Sequence, residues 1–259
     1  MKSEPLQITL ISEHASPLAL AGGVDSGGQN VYVAHVARRL AAAGHAVDVL
    51  TRRDDARAPA VVELAPGVRV LHVDAGPPRF VPKEELLPHM REFSGAARQR
   101  LLRRPPPDVI HANFFMSGWV GLELRRHFAV PLVTTFHALG LVRREHQREA
   151  DRFPGERIAI ERTLVRDCDR LIAACPQDAA DLRRLYGAAP ERIAGVPCGV
   201  DVDALRPGDR RDARRRLGLP QHEFIALQLG RLVPRKGIDN VVHAMARLRQ
   251  ADPRLATRL

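Results

Sequence analysis

Ile8-Thr9-Leu10-Ile11, followed after a short loop by Gly22-Gly23-Val24-Asp25-Ser26-Gly27-Gly28-Gln29-Asn30, decides the fold of this 259-residue chain. An apolar run runs into a glycine-rich turn, and the turn opens a helical pattern over residues 29–43 that Gly44 stops. Bare backbone amides at such a helix N-terminus are suited to phosphate oxygens. A second strand exit, Gly230-Arg231-Leu232-Val233-Pro234-Arg235-Lys236-Gly237, brings cations that could neutralise a departing diphosphate. The glycine spacing is not the G-x-G-x-x-G of dinucleotide folds, and Gln29 stands where a P-loop carries lysine. Dehydrogenase, kinase and ATPase readings therefore lose ground, and a cleft that uses a nucleotide-activated substrate gains it.

Working outward, strand-like segments at residues 7–11, 46–50, 68–73, 108–111, 132–136, 170–173 and 224–229 alternate with helical patterns. The helices are expected at residues 29–43, 83–103, 118–128, 156–167, 177–186 and 238–250, with Pro176 in a first turn and Gly187 as a stop. This alternation predicts an α/β fold, a doubly wound parallel sheet with helices on both faces. Residues 1–196 read as one domain and 197–220, rich in turn residues and arginine, as a hinge. Residues 221–259 read as an incomplete second domain, because one β-α unit cannot bury its own two faces. The expectation is a truncated sequence.

The formal charge of +10 admits nucleic acid, anionic lipid or a phosphorylated substrate as partner. Few aromatics and no stacking pattern argue against single-stranded nucleic acid, whereas peripheral membrane contact stays open. No apolar run approaches the ~20 residues of a membrane span. Cys168, Cys175 and Cys198 have neither zinc spacing nor an even count, so reduced thiols and a cytoplasmic location are expected.

His137 stands at the carboxyl end of an expected central strand, where parallel sheets place their ligand crevice. The Asp201-x-Asp203 pair imitates a metal chelator but lies in the hinge, and no metal is expected there. Arg143, Arg144, Arg148, Arg152 and Arg162 interleave with glutamates and read as a solvated face. The hinge arginines Arg210, Arg211, Arg214, Arg215 and Arg216 read the same way.

Together these residues resemble the family 4 retaining glycosyltransferases of GT-B fold, in the branch of sucrose-phosphate synthases and the inositol-phosphate N-acetylglucosaminyl transferase of mycothiol synthesis. The likeness rests on Gly27-Gly28-Gln29-Asn30-Val31-Tyr32-Val33, Pro66-Gly67-Val68, Lys83-Glu84-Glu85-Leu86, Pro107-Asp108-Val109-Ile110-His111-Ala112, Ser117-Gly118, Phe136-His137-Ala138-Leu139, Gly199-Val200-Asp201, and Gly230-Arg231 with Pro234-Arg235-Lys236-Gly237. It implies a Rossmann-like N-terminal domain and the start of a second such domain.

The resemblance also implies an enzyme: a hexosyl group moves from a nucleotide sugar, UDP-sugar first, to a hydroxyl of a sugar, sugar phosphate or glycan. By resemblance Gly27, Gly28, Arg231 and Lys236 bind the donor, and His137, Arg231 and Lys236 serve the reaction centre. Asn30, Lys83 and Arg157 match acceptor-side positions for a polyol and its phosphate. No metal or other cofactor is implied, since the leaving phosphate takes the acceptor proton. Two departures stand out. Asn113-Phe114 replaces the His-Tyr of the inositol-phosphate branch, which removes a phenolic hydroxyl and argues against an inositol-phosphate acceptor. The family's E-x7-E segment also lies beyond Leu259, so weak donor binding and little turnover are expected. The rival readings are a non-catalytic basic binding module and a nucleotide-sugar oxidoreductase or epimerase.

Overall fold

The computed structural model describes residues 4–19, 27–230 and 236–252. It falls into two compact units, Met1–Cys198 and Gly199–Leu259.

The first unit is built on β1 (Gln7–Ile11), β2 (Ala46–Arg52), β3 (Val61–Ala65), β4 (Val68–Val73), β5 (Val109–Asn113), β6 (Leu132–Thr135), β7 (Arg170–Ala173) and β8 (Ile193–Gly195). The helices are α1 (Gly28–Ala42), α2 (Met90–Leu101), α3 (Phe115–Phe128), α4 (Gly140–Gln147), α5 (Glu156–Asp167) and α6 (Pro176–Tyr186). The sheet order is β3-β4-β2-β1-β5-β6-β7-β8. Every pairing is parallel except that of β3 with β4, which is antiparallel. The α/β expectation holds, with two edge strands, β3 and β8, that the sequence reading lacks. The chain winds from β1 out to β4 on one side and from β5 to β8 on the other. The switch in winding direction thus lies between β1 and β5, and parallel sheets of this kind place their ligand crevice beyond the carboxyl ends of such strands.

Alternation along each strand divides the core between the two faces. Ile8 and Leu10 of β1 pack with Val47, Val49, Val68 and Val70 against Val33 and Ala37 of α1. Ile11, Leu50, Leu71 and Ile110 face the opposite way, into a larger core with Phe93 of α2 and Phe115, Met116 and Val120 of α3. A Cβ on Gly118 would stand 2.5 Å from Leu164 Cδ1, so only glycine lets α3 approach α5 this closely.

The helix expected over residues 83–103 is broken into two short 3-10 turns, Lys83–Glu85 and Leu87–His89, ahead of α2. Pro88 explains the break, because it has no N–H and crowds the preceding turn. Pro176 does open α6, and Gly187 ends it in the left-handed conformation at φ 67°. All three cysteines are free thiols, with Cys168 buried.

Among its described residues, the second unit contains α7 (Arg210–Arg216) and α8 (Ile238–Ala251). Residues 224–229, expected as a strand, are not one. They have no neighbouring strand among the described residues to complete a ladder. Arg214 is also not solvated: it is buried and donates to the carbonyls of Pro220, Gln221 and Glu223 at 2.8 to 2.9 Å. Asp201 Oδ1 accepts from the amides of Asp203 and Ala204, so its carboxylate caps a turn. Among the described residues no group of three or more His, Cys, Asp or Glu could hold a metal ion, and no helix is long and apolar enough to cross a membrane.

Candidate active site

The crevice at the β1/β5 switch is floored by loops that leave the strand ends under tight control. Gly27 caps α1, and its N–H donates to Asn30 Oδ1 at 2.9 Å. Asn30 Nδ2 donates to the Ser16 carbonyl at 2.9 Å. Asn30 is therefore a buried latch between the loop after β1 and the first turn of α1. Gln29 Nε2 reaches across the switch point to Ser12 Oγ and the Asn113 carbonyl, at 3.1 and 3.2 Å. The first turn of α1 carries no acidic residue. Among the described residues a Cβ on Gly28 would meet no atom within 4 Å, and its φ is not positive. Neither protein packing nor backbone geometry demands glycine there, and its effect is to leave space in front of the helix amides.

Two non-glycine residues with positive φ lie where β5 and β6 end: Phe114 at 87° and His137 at 58°. Such conformations cost on the order of 1 kcal/mol or more and persist where surroundings enforce them. At His137 the enforcement is visible. Ala138 N–H donates to the Phe136 carbonyl at 2.7 Å, closing a three-residue turn centred on His137. The ring meets the edge of Tyr32 at a centroid distance of 4.9 Å, and Nε2 lies 3.0 Å from Asn113 Oδ1. Asn113 Nδ2 is spent on the carbonyls of Ile11 and His111 at 3.3 and 3.4 Å. Its oxygen must then face His137, so His137 Nε2 carries the proton and Nδ1 keeps its lone pair.

The residue keeps an exposed flank. Even so, burial of its ring, with His111 and His14 close by, pushes its pKa down to about 3. It is a neutral hydrogen-bonding group at neutral pH. His111 behind it is fully buried, accepts or donates to Thr135 Oγ1 at 2.8 Å, and has its pKa lowered to about 4 by burial. Tyr32 is shifted upward by burial against the opposing hydrogen bond to Thr135.

Arg157 is placed by α5 in the core beside this turn, 1% exposed. Its guanidinium sits 4.5, 4.9 and 5.0 Å from the ring centroids of Phe153, Phe115 and Phe114. Nε donates to Glu161 Oε1 at 2.8 Å and Nη2 to the Ala138 carbonyl at 2.6 Å, while Nη1 is buried without a partner among the described residues. Glu161 also receives the Gly140 N–H and the Tyr186 hydroxyl, and so caps α4. One buried ion pair thereby anchors the chain just after His137, at Ala138 and Gly140.

Lys83 lines an open cleft with Glu13, His14, Ser16, Thr51, Arg52, Asp54 and Phe80. Its Nζ is 3.5 Å from Glu84 Oε1. Arg52 is committed to the carbonyls of Arg53, Ala75, Pro77 and Arg79, and burial lowers its pKa. Gly27, Gly28, Asn30, Lys83, His137 and Arg157 all belong to the first unit. Lys236 is exposed in the second, and Arg231 lies outside the described residues. The sequence reading gives Glu13 and His14 no place in the site, and it uses Gln29 only against a P-loop and Asn113 only as a departure. Their position just beyond β1 and at the end of β5 is the signal that could have found them.

Comparison with known proteins bears on the family and the fold. The chain is 46% identical to D-inositol 3-phosphate glycosyltransferase 1 of Catenulispora acidiphila, over 99% of this chain and 61% of that protein. It is 42% identical to the D-inositol 3-phosphate glycosyltransferase of Geodermatophilus obscurus, over 98% of this chain and 57% of that one. The chain thus spans about three fifths of the length of these relatives. Sucrose-phosphate synthase from Thermosynechococcus elongatus superposes with a TM-score of 0.88 at 36% identity, over 94% of this chain and 60% of that one. Anabaena HepE, solved with UDP and glucose, shares the fold at a TM-score of 0.63 and 20% identity, over 93% of this chain and 58% of that one. Residues 26–204 match Glycosyltransferase Family 4, and the chain belongs to that family.

Proposed function

We propose that this chain serves an anomer-retaining transfer of a hexosyl group from a nucleotide sugar, UDP-sugar first, to a hydroxyl of a phosphorylated sugar or polyol. The observation that carries the reading is the space that the described residues leave open over Gly28 at the N-terminus of α1, with a neutral, rigidly held His137 joined to the same helix turn through Asn113 and Gln29. Helix amides and open space suit a diphosphate. A neutral imidazole with one free lone pair suits a sugar hydroxyl.

In this reading Gly27 and Gly28 border the donor diphosphate, and Arg231 and Lys236 neutralise it. The bond from the donor anomeric carbon to the diphosphate breaks as the bond to the acceptor oxygen forms on the same face. The acceptor proton passes to the departing phosphate oxygen. Cations that meet charge as it develops, and alignment of the two reactants, supply the acceleration. Lys83 meets the acceptor phosphate. Arg157 acts through the Ala138 carbonyl to hold the His137 turn, and Asn30 latches the donor loop.

Because little turnover is expected of this chain, the test is prolonged incubation at high protein concentration with UDP-glucose or UDP-N-acetylglucosamine and either fructose 6-phosphate or D-inositol 3-phosphate, with proton NMR of the product. An α-linked product from an α-linked donor, lost with Lys83→Ala and Lys236→Ala, supports the reading. An inverted product, or nucleoside diphosphate affinity that both substitutions leave untouched, contradicts it.

A further inference from the structure

Glu13 and His14 follow β1 directly, at the switch point, and neither role above uses them. The Glu13 side chain is fully buried, and His14 keeps 10% of its side-chain surface. A buried carboxylate needs donors, and Glu13 pairs with no lysine or arginine among the described residues. Its donors are the Ser117 hydroxyl on one oxygen and His14 Nδ1, 2.7 Å from the other. Ser117 Oγ in turn accepts the Glu13 N–H at 3.2 Å, which closes the brace onto α3. The His14 ring stands edge-on to Phe114 at 4.9 Å.

This arrangement fixes the tautomer. In the neutral ring, a carboxylate at Nδ1 holds the proton there and leaves Nε2 as a hydrogen-bond acceptor. Nε2 has no partner among the described residues, and His14 lines the same cleft as Lys83. The cleft therefore offers a lone pair on one wall and an ammonium on another.

Resting on the function proposed above, we propose that His14 Nε2 accepts a hydrogen bond from a hydroxyl of a polyol phosphate seated in this cleft. Glu13 and Ser117 are positioning residues that hold the tautomer, and Lys83 takes the phosphate. The ligand class is a phosphorylated polyol with a free hydroxyl a few ångströms from its phosphate. Inorganic phosphate alone engages Lys83 but not His14.

The test uses the whole chain and two readouts. Nitrogen-15 NMR of the histidine ring, at mildly alkaline pH, is expected to show His14 Nε2 unprotonated and to shift on titration with fructose 6-phosphate or D-inositol 3-phosphate. His14→Asn keeps a donor for Glu13 but has no counterpart of Nε2. It is expected to weaken sugar-phosphate binding about tenfold, the ~1.4 kcal/mol of a single hydrogen bond, with inorganic phosphate binding unchanged. Sugar-phosphate binding that needs Lys83 but is indifferent to His14→Asn overturns this inference and spares the proposed function. A protonated Nε2 also overturns it. The expected tautomer without binding of either sugar phosphate overturns the inference and the acceptor assignment together.

Discussion

His137 Nε2 donates to Asn113 Oδ1 at 3.0 Å, across the gap between the carboxyl ends of β5 and β6. Asn113 cannot turn its amide, because Nδ2 is held by two backbone carbonyls. One asparagine thereby sets the tautomer of the imidazole that borders the crevice.

Asn113→Asp reverses that control. A carboxylate 3 Å from the ring favours imidazolium, so the His137 pKa is expected to rise from about 3 toward or beyond its ordinary value of 6.5. The Ile11 and His111 carbonyls lose their donor, which costs about 1–3 kcal/mol of stability. Titration of the ring protons by NMR reads the first effect and urea unfolding the second. An unchanged His137 pKa would show that Asn113 does not govern the ring.

Arg157→Met leaves Glu161 buried and unpaired, with Gly140 and Tyr186 its remaining donors. The expected loss is about 3–5 kcal/mol, the range for one half of a buried pair. Adding Glu161→Gln should recover part of it, with a coupling of at least ~1 kcal/mol in a double-mutant cycle by urea unfolding. Additive losses would mean that the pair is not an energetic unit.

His111 sets an acid limit on stability. Its folded pKa of about 4 lies below the ordinary 6.5, so below pH 6.5 the unfolded chain takes up a proton that the folded chain refuses. Stability is full above that pH and falls as pH drops toward 4, by on the order of 3 kcal/mol from this group. His111→Gln should flatten the stability profile across that window. A profile identical to that of the parent protein would exclude His111 as the cause.

Much of the fold is legible in the sequence. Residues 7–11, 68–73 and 170–173 match their strands to the residue, because each is a short apolar run bounded by turn signals. The edge strand β3 escaped, being half-buried and paired only with β4. Helix α4 escaped because its first amides are capped from elsewhere, by Glu161 and Tyr186, and not by a local residue. In the site, His137 followed from the strand-end rule. The burial of Arg157 did not, since the rings around it come from residues 114, 115 and 153, and a run of mixed charges looks solvated. Likewise Glu13 looks like a surface acid until Ser117, 104 residues away, closes on it.

Gly28→Ala separates folding from ligand binding. The added methyl meets no atom of the described residues, and the lower freedom of the unfolded chain should leave stability equal or up to about 1 kcal/mol higher. Affinity for UDP should fall about tenfold or more, because the methyl occupies the space before the helix amides, as calorimetry can read. Unchanged UDP affinity would remove Gly28 from the donor site.

The most direct test of the account is backbone amide NMR of the isotope-labelled chain, titrated with a UDP-sugar and separately with a sugar phosphate. The account predicts that UDP-sugar perturbs Gly27, Gly28, Gln29 and His137, and that the sugar phosphate perturbs His14 and Lys83. Perturbations confined to other surfaces, or the same changes with any polyanion, would contradict a sugar-transfer site at the β1/β5 switch.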